Sequence, residues 1–268
     1  MRKVFKIISF VFLGLIIVLV GWESYENRIE RIIQKISAHK VLKEFGEKFI
    51  LDFQINYLNV FPIGKASYYA KGLLPYEGKN VYQLEMEAED IIPFSWLKPA
   101  KAKMVAYLDV LELLPRYLFI NIEVNKEVKE KGEIIYYPEE GYIVSEGKRY
   151  VILPSTYEPL SLIFYLMRMD FDLHKNKELN LNSNQANYKV NVDVQSKKEY
   201  KIGDKIYNVW EVNLSVRRRK GEIMRHSFEA KIYFLEEDGR NIPLWGKAVT
   251  NLGNISFRLK AVLGTGEG

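Results

Sequence analysis

Residues 153–170 read Leu153-Pro154-Ser155-Thr156-Tyr157-Glu158-Pro159-Leu160-Ser161-Leu162-Ile163-Phe164-Tyr165-Leu166-Met167-Arg168-Met169-Asp170. From Leu160 to Met169 almost every position is apolar, so a helix here has no fully wet face and must be covered on most sides. Ser155 or Thr156 can cap its first free N–H groups. Glu158 falls in the first turn, where the helix dipole favours an anion, and Pro159 stands where a missing donor costs little. The spacing predicts one buried helix over residues 156–169, inserted into a chain that otherwise alternates.

On both sides of it the apolar period is two. Phe49, Leu51, Phe53, Ile55 and Tyr57 alternate with Asp52, Gln54 and Asn56. Tyr82, Leu84 and Met86 oppose Gln83, Glu85 and Glu87, and Val190, Val192 and Val194 oppose Asn191 and Asp193. Trp210–Val216, Phe228–Phe234 and Ile255–Leu263 repeat the pattern, the mark of strands with one wet face. Glu77-Gly78, Lys131-Gly132, Glu146-Gly147, Gly203-Asp204, Lys220-Gly221 and Asp238-Gly239 fall between strand patterns as hairpin turns. Consecutive strands then pair antiparallel. The fold class is mainly β: a large curved antiparallel sheet, a half-barrel or open barrel of about a dozen strands, with the helix filling its concave side. No Pro-, Gly- or Ser-rich linker divides residues 45–264, which form one domain, and 265–268 are a frayed tail. Whether the two β-halves make one sheet or two packed sheets stays open.

The N-terminus has a different character. Arg2, Lys3 and Lys6 precede Ile7–Trp22, sixteen residues without a charge. As a helix this spans roughly 24 Å, a little short of a hydrocarbon core, with Lys6 able to snorkel and Trp22 suited to the far interface. Residues 1–22 are therefore expected to be a membrane anchor, single-pass in the inner membrane, with the C-terminal domain in the periplasm or outside the cell. The alternative is an export signal that is cleaved, leaving the domain secreted to the periplasm. Residues 23–44 follow as an amphipathic stalk, with Tyr25, Ile29, Ile32, Ile33 and Ile36 at helical spacing. Its apolar stripe can pack on its own domain, meet an envelope protein or lie on a bilayer. Gly46 is expected to end it.

Composition narrows the function. Of 268 residues, 48% are apolar and 13% aromatic, ample for a core, and the net charge is +5. Without Arg2, Lys3 and Lys6 the balance is 36 basic against 34 acidic residues, so charge makes no case for nucleic acid. The chain has no cysteine, which removes disulfides, thiolate catalysis and cysteine-ligated zinc together. His39, His174 and His226 are far apart, none with a second ligand three or four residues away, so no metal and no cofactor is called for. No nucleophile elbow surrounds Ser145 or Ser161. Glu236-Glu237-Asp238 reads as a hairpin end rather than a calcium site. The expectation is a non-enzyme.

The order of parts resembles the Domain of Unknown Function 3108 family of bacterial envelope proteins. The resemblance lies in Gly46-Glu47, a strand reaching Phe61-Pro62-Ile63-Gly64-Lys65-Ala66, the helix Tyr157–Arg168 and a closing β-meander, and it covers residues 45–263. In that family the helix opens Asp-Pro-Leu-Ser. Here Glu158 replaces the Asp, which shifts the expected cap to Ser155 or Thr156. The resemblance implies an exported β-rich domain and no reaction, and in outline the parts are similar to half-barrel lipoprotein carriers, which hold acyl chains between a curved sheet and a helix.

Two readings follow. In the first, sheet and helix enclose an apolar cleft for a lipid or other apolar ligand, with Leu162, Phe164, Leu166, Met167 and Trp210 as its candidates, because the four helix residues cannot share one face. Arg217, Arg218, Arg219 and Lys220 are then candidates for an anionic headgroup. In the second, the helix is plain core and the chain is a structural or interaction module of the envelope. Arg168 at the helix end is expected to complement the dipole and pair with Asp170. An apolar cavity of a few hundred Å³ beside the helix separates the first reading from the second.

Overall fold

The computed structural model describes residues 25–38, 48–59, 61–90, 100–183, 185–219, 228–250 and 253–264. Within them the chain forms helix α1 (Tyr25–Ala38), strands β1 (Lys48–Tyr57), β2 (Phe61–Tyr76), β3 (Lys79–Asp90), β4 (Ala100–Asp109), β5 (Pro115–Val124), β6 (Glu127–Tyr137), β7 (Tyr142–Ser145), β8 (Lys148–Val151) and β9 (Thr156–Tyr157), helix α2 (Pro159–Arg168), and strands β10 (Asn176–Ser183), β11 (Ala186–Ile202), β12 (Lys205–Arg218), β13 (Phe228–Glu237), β14 (Arg240–Thr250) and β15 (Gly253–Gly264). The anchor expected over 1–22, Gly46 and the tail 265–268 lie outside the described residues, and no helix among those described is long and apolar enough to cross a membrane.

All fifteen strands belong to one sheet. Its order runs β8 to β1, crosses from β1 to β15, and continues down to β9. Two meanders are thus joined by the pairing of the first strand with the last, Ile55 opposite Phe257 and Gln54 opposite Arg258. Every pair is antiparallel except β9 with β10, where Asn180 and Leu181 face Thr156 and Tyr157. The two edges of the sheet are tied by side chains. Asn187 donates to the Val151 carbonyl at 2.8 Å and Gln185 to Ser145 Oγ at 3.2 Å, while Asn180 donates at 2.8 Å to the Pro154 carbonyl in the connection leading into β9. The open sheet is thereby drawn toward a barrel.

Glu77-Gly78, Glu146-Gly147 and Asp238-Gly239 are tight turns with both residues at positive φ, the twist that suits a two-residue hairpin. Lys131-Gly132 is not a turn: Gly132 lies inside β6, and the reversal falls at Asn125-Lys126, both at positive φ. Gly221 lies outside the described residues.

The described part of the expected stalk, α1, packs on the sheet. Ile29, Ile32 and Ile33 are buried in one core cluster with Leu235, Ile242, Leu244 and Leu259, and α1 lies against β11, β14 and β15. Its apolar stripe meets its own sheet. A second cluster gathers Leu162, Leu166, Met169 and Phe171 with Val190, Val192, Val212 and Phe234. Helix α2 stands between the two clusters, within reach of β3 and β4 on one side and β10 and β14 on the other.

An apolar cavity between the sheet and helix α2

Helix α2 is shorter than expected, and it starts differently. Ser155 takes φ 50° and Thr156 joins β9, its hydroxyl donating to the Leu153 carbonyl at 2.5 Å, so neither caps the helix. Glu158 does. Its Oε2 accepts from the Leu160 N–H at 2.8 Å and its Oε1 from the Ser161 N–H at 2.5 Å, while Ser161 Oγ accepts from the Glu158 N–H at 2.8 Å. This is a reciprocal capping box with the acid first and the hydroxyl third. Glu158 and Ser161 are both fully buried. Burial pushes the Glu158 carboxyl up to about 7, against the pull of its hydrogen bonds to Leu160 and Ser161.

The far end is closed from the sheet. Asn241 of β14 donates to the Met169 carbonyl at 2.6 Å and to the Leu166 carbonyl at 3.3 Å, satisfying groups the helix leaves open. Arg168 does not pair with Asp170. Its guanidinium lies 4.9 Å from the ring centre of Tyr82 and 4.6 Å from that of Phe164, whereas the Asp170 carboxylate accepts from the backbone N–H groups of Asp172 and Leu173. The rings of Tyr82 and Phe164 hold the cation in their faces, which leaves the carboxylate to turn the following loop.

The two faces of α2 have different fates. Leu160, Phe164 and Met167 pack into the first core cluster, beside Phe49, Tyr68, Tyr82 and Leu108. Pro159, Leu162, Ile163 and Leu166, at the i, i+3, i+4, i+7 spacing of one stripe, border a cavity of about 590 Å³. The sheet supplies its other walls through inward-facing positions of nine strands, among them Tyr188 of β11 and Leu214 and Val216 of β12. Leu51, Phe53 and Ile55 come from β1, Ala66 and Tyr68 from β2, Met86 from β3 and Leu181 from β10. Phe228, Ala230, Ile232 and Phe234 come from β13, Pro243 and Ala248 from β14, and Phe257 from β15. Polar groups are few: the Tyr68 hydroxyl, already donating to the Leu160 carbonyl at 3.2 Å, with Ser183 and Tyr188. One wall depends on a glycine. Phe257 pairs across from Gly246, and a Cβ on that residue would come within 2.3 Å of the ring.

The same interior face runs on beyond the cavity to the strand ends. In register, Tyr57 faces Ile255 and Phe61, and Phe228 opens β13. Phe61 is 41% exposed and Phe228 40%, so the apolar lining reaches solvent at this rim.

Of the expected cleft residues, Leu162 and Leu166 line the cavity. Phe164 and Met167 face the packed side of the helix. Trp210 is core: its Nε1 donates to Glu236 at 3.0 Å and Phe171 meets it edge-on, so its polar edge and its face are both engaged away from the cavity. The basic run is dispersed. Arg217 lies exposed at the end of β12, Arg218 beside it, Arg219 pairs with Glu178 at 2.6 Å, and Lys220 lies outside the described residues. Sequence reading missed Phe53, Ile232, Phe234 and Phe257 as lining residues, although their alternation had placed them on strands.

No protein-family model matches the chain, and no curated protein does. Among solved structures, a β-barrel-like protein of Domain of Unknown Function 1849 from Brucella abortus superposes with a TM-score of 0.55 at 10% identity, covering 80% of this chain and 96% of that one. The fold is shared. An exported-type protein with a YmcC-like fold from Bacteroides fragilis (TM-score 0.35, 10% identity, 81% of this chain and 96% of that one) and a lipoprotein-type protein from Parabacteroides distasonis (0.33, 8%, 81% and 95%) align more loosely. None of the three carries an enzyme's name. The likeness to the Domain of Unknown Function 3108 family therefore narrows to a barrel-like domain of unknown function.

Proposed function

We propose that this protein is a non-catalytic module of the cell envelope that holds an apolar chain, such as the acyl part of a lipid, between its curved sheet and α2. The observation that carries the reading is the cavity of about 590 Å³ with almost wholly apolar walls, a volume in the range of small-molecule sites. Water filling such a space needs two to four polar partners each, and the walls offer little beyond Ser183 and two tyrosine hydroxyls, one of them engaged. An apolar occupant matches that lining. The helix beside it is fixed at both ends, by Glu158 and Asn241, so the site is preorganised rather than a gap in loose packing. In this reading Ile7–Trp22 tethers the domain to the inner membrane, on its outer side, next to a supply of lipid.

The test is native mass spectrometry with lipid extraction on residues 23–268, which keep α1 in place, produced in a bacterial periplasm and purified without detergent. A stoichiometric acyl species supports the reading. Folded, monodisperse protein free of any such species turns the assignment to a structural or interaction module.

A further inference from the structure

The cavity beside α2 changes character along its length, and its unengaged polar groups gather at one end. On β10 the inward positions run Leu179, Leu181, Ser183, and on β12 they run Leu214, Val216, Arg218, so that each strand turns polar at its last inward place. Between them β11 supplies Tyr188, directly across from Leu181 on one side and from Arg218 on the other. Ser183 and Tyr188 line the cavity, and Arg218, paired with Tyr188, shares its face. The pairing stays regular to the strand end, where the Arg219 N–H donates to the Asn187 carbonyl at 2.9 Å. Arg217 and Arg219 therefore point outward, and Arg218 alone of the basic run faces in. The Ser183 and Tyr188 hydroxyls make no side-chain hydrogen bond among the described residues.

The opposite end is filled. Leu51 and Phe234, the deepest lining residues of β1 and β13, are buried, and beyond them α1 packs Ile29 and Ile33 with Leu235 and Leu259. An ionised group among Leu51, Phe234 and Pro243 would have no partner, so a chain with a charged head lies with that head at the Ser183, Tyr188 and Arg218 corner.

The corner also fixes the sign of the head. Arg218 is the one inward cation at this end of the lining strands among the described residues. Asp90 is their one inward acid there, six strands away on β3, where it accepts from the Ala100 N–H at 3.1 Å. The Glu158 carboxyl is spent on the helix cap. A guanidinium has five N–H donors, enough to hold an anion beside a protein neighbour. We propose, resting on the reading of the cavity as an acyl site, that its ligand is an anionic amphiphile held tail inward. Its carboxylate or phosphate head meets Arg218 and the hydroxyls of Tyr188 and Ser183.

The full chain in a nonionic amphipol is photolabelled at pH 8 with palmitate bearing a diazirine at the tail end, and with hexadecanol bearing the same group. Palmitate is expected to label the Leu51, Phe234 and Pro243 end, at least threefold more than the alcohol at low salt. Arg218→Gln is expected to cut palmitate labelling about three- to fivefold and leave that of the alcohol unchanged, as a partly exposed charge contact allows. Tyr188→Phe, which keeps the ring, should give a smaller loss in the same direction. Unlabelled palmitate and lysophosphatidylglycerol are each expected to displace the probe ahead of lysophosphatidylcholine, the stronger of the two naming the head as carboxylate or phosphate. Equal labelling by acid and alcohol, or an Arg218→Gln variant that keeps the preference for the acid, overturns the charge assignment while the acyl reading stands. Labelling of the Phe228 rim by the tail diazirine overturns the orientation. No labelling of cavity residues by either chain sinks the acyl reading itself, and this inference with it.

Discussion

A carboxyl group buried beneath a curved sheet is an uncommon choice, and Glu158 makes the helix start depend on pH. Its carboxyl lies near 7 when folded and at an ordinary 4.5 when unfolded. Between those values the folded state holds more protons, so stability falls as pH rises from about 4.5 to about 7 and is flat above. The span is worth on the order of 3 kcal/mol. Glu158→Gln keeps one acceptor and cannot ionise, so its urea midpoint should vary less between pH 5 and pH 7.5 than that of the native chain. Parallel curves for the two would refute this. Tyr136 offers a companion case. Its hydroxyl is buried without a hydrogen-bond partner, and burial, with Glu158 nearby, drives its pKa well above the usual value. Removing an unsatisfied hydroxyl costs nothing, so Tyr136→Phe is expected to leave stability unchanged or raise it by about 1 kcal/mol in chemical denaturation. A loss of stability would mean the hydroxyl is bonded.

Among the elements, α2 shows what periodicity conveys and what it omits. The helix, its first-turn Pro159 and most strands are legible from spacing alone. The cap was misplaced because capping boxes are read with the hydroxyl first, whereas Glu158-Pro159-Leu160-Ser161 runs the other way. The β6 turn was misplaced because a glycine outranks Asn125-Lys126 as a signal, although an Asn also tolerates positive φ. The C-terminal closure was not legible, since Asn241 is more than seventy residues from the carbonyls it serves. Asn241→Ala should expose that debt, costing about 1–3 kcal/mol because buried carbonyls lose their donor. Thermal unfolding reads it, and an unchanged Tm would show the carbonyls are served otherwise. Helix α1 teaches the same lesson. An amphipathic stripe announces that it will be covered, but the cover is found only when β11, β14 and β15 come together.

For the whole molecule, the question is which of the inward-facing side chains fill space and which surround it. Sequence gives the inward set through alternation. It cannot show that Leu160, Phe164 and Met167 meet Tyr82 and Phe49 while Leu162, Ile163 and Leu166 meet a void, because that depends on strands far apart in the chain. Two substitutions address the void. Leu166→Trp places an indole where an apolar ligand would lie, and is expected to abolish the co-purifying acyl species while the domain stays folded. Global unfolding would show the position to be packed core. Gly246→Ala forces the Phe257 ring to move, costing about 1–3 kcal/mol and altering ligand retention. An unaltered Tm would show that the ring shifts freely.

The pairing of β1 with β15 in the middle of the sheet bears on how the chain reaches this state. Each meander consists of neighbouring hairpins that can form early from local contacts, yet the two halves are joined only through strands separated by nearly the whole domain. Such a contact carries a large loop-closure entropy and forms late. Until β15 is made and docked, β1 presents a long unpaired edge, the kind of surface on which chains aggregate. Closure of the sheet therefore follows the formation of its two halves and leaves a vulnerable interval before it. A chain that crosses a membrane unfolded meets that interval on the far side, where the final zipping of β15 onto β1 commits both halves at once.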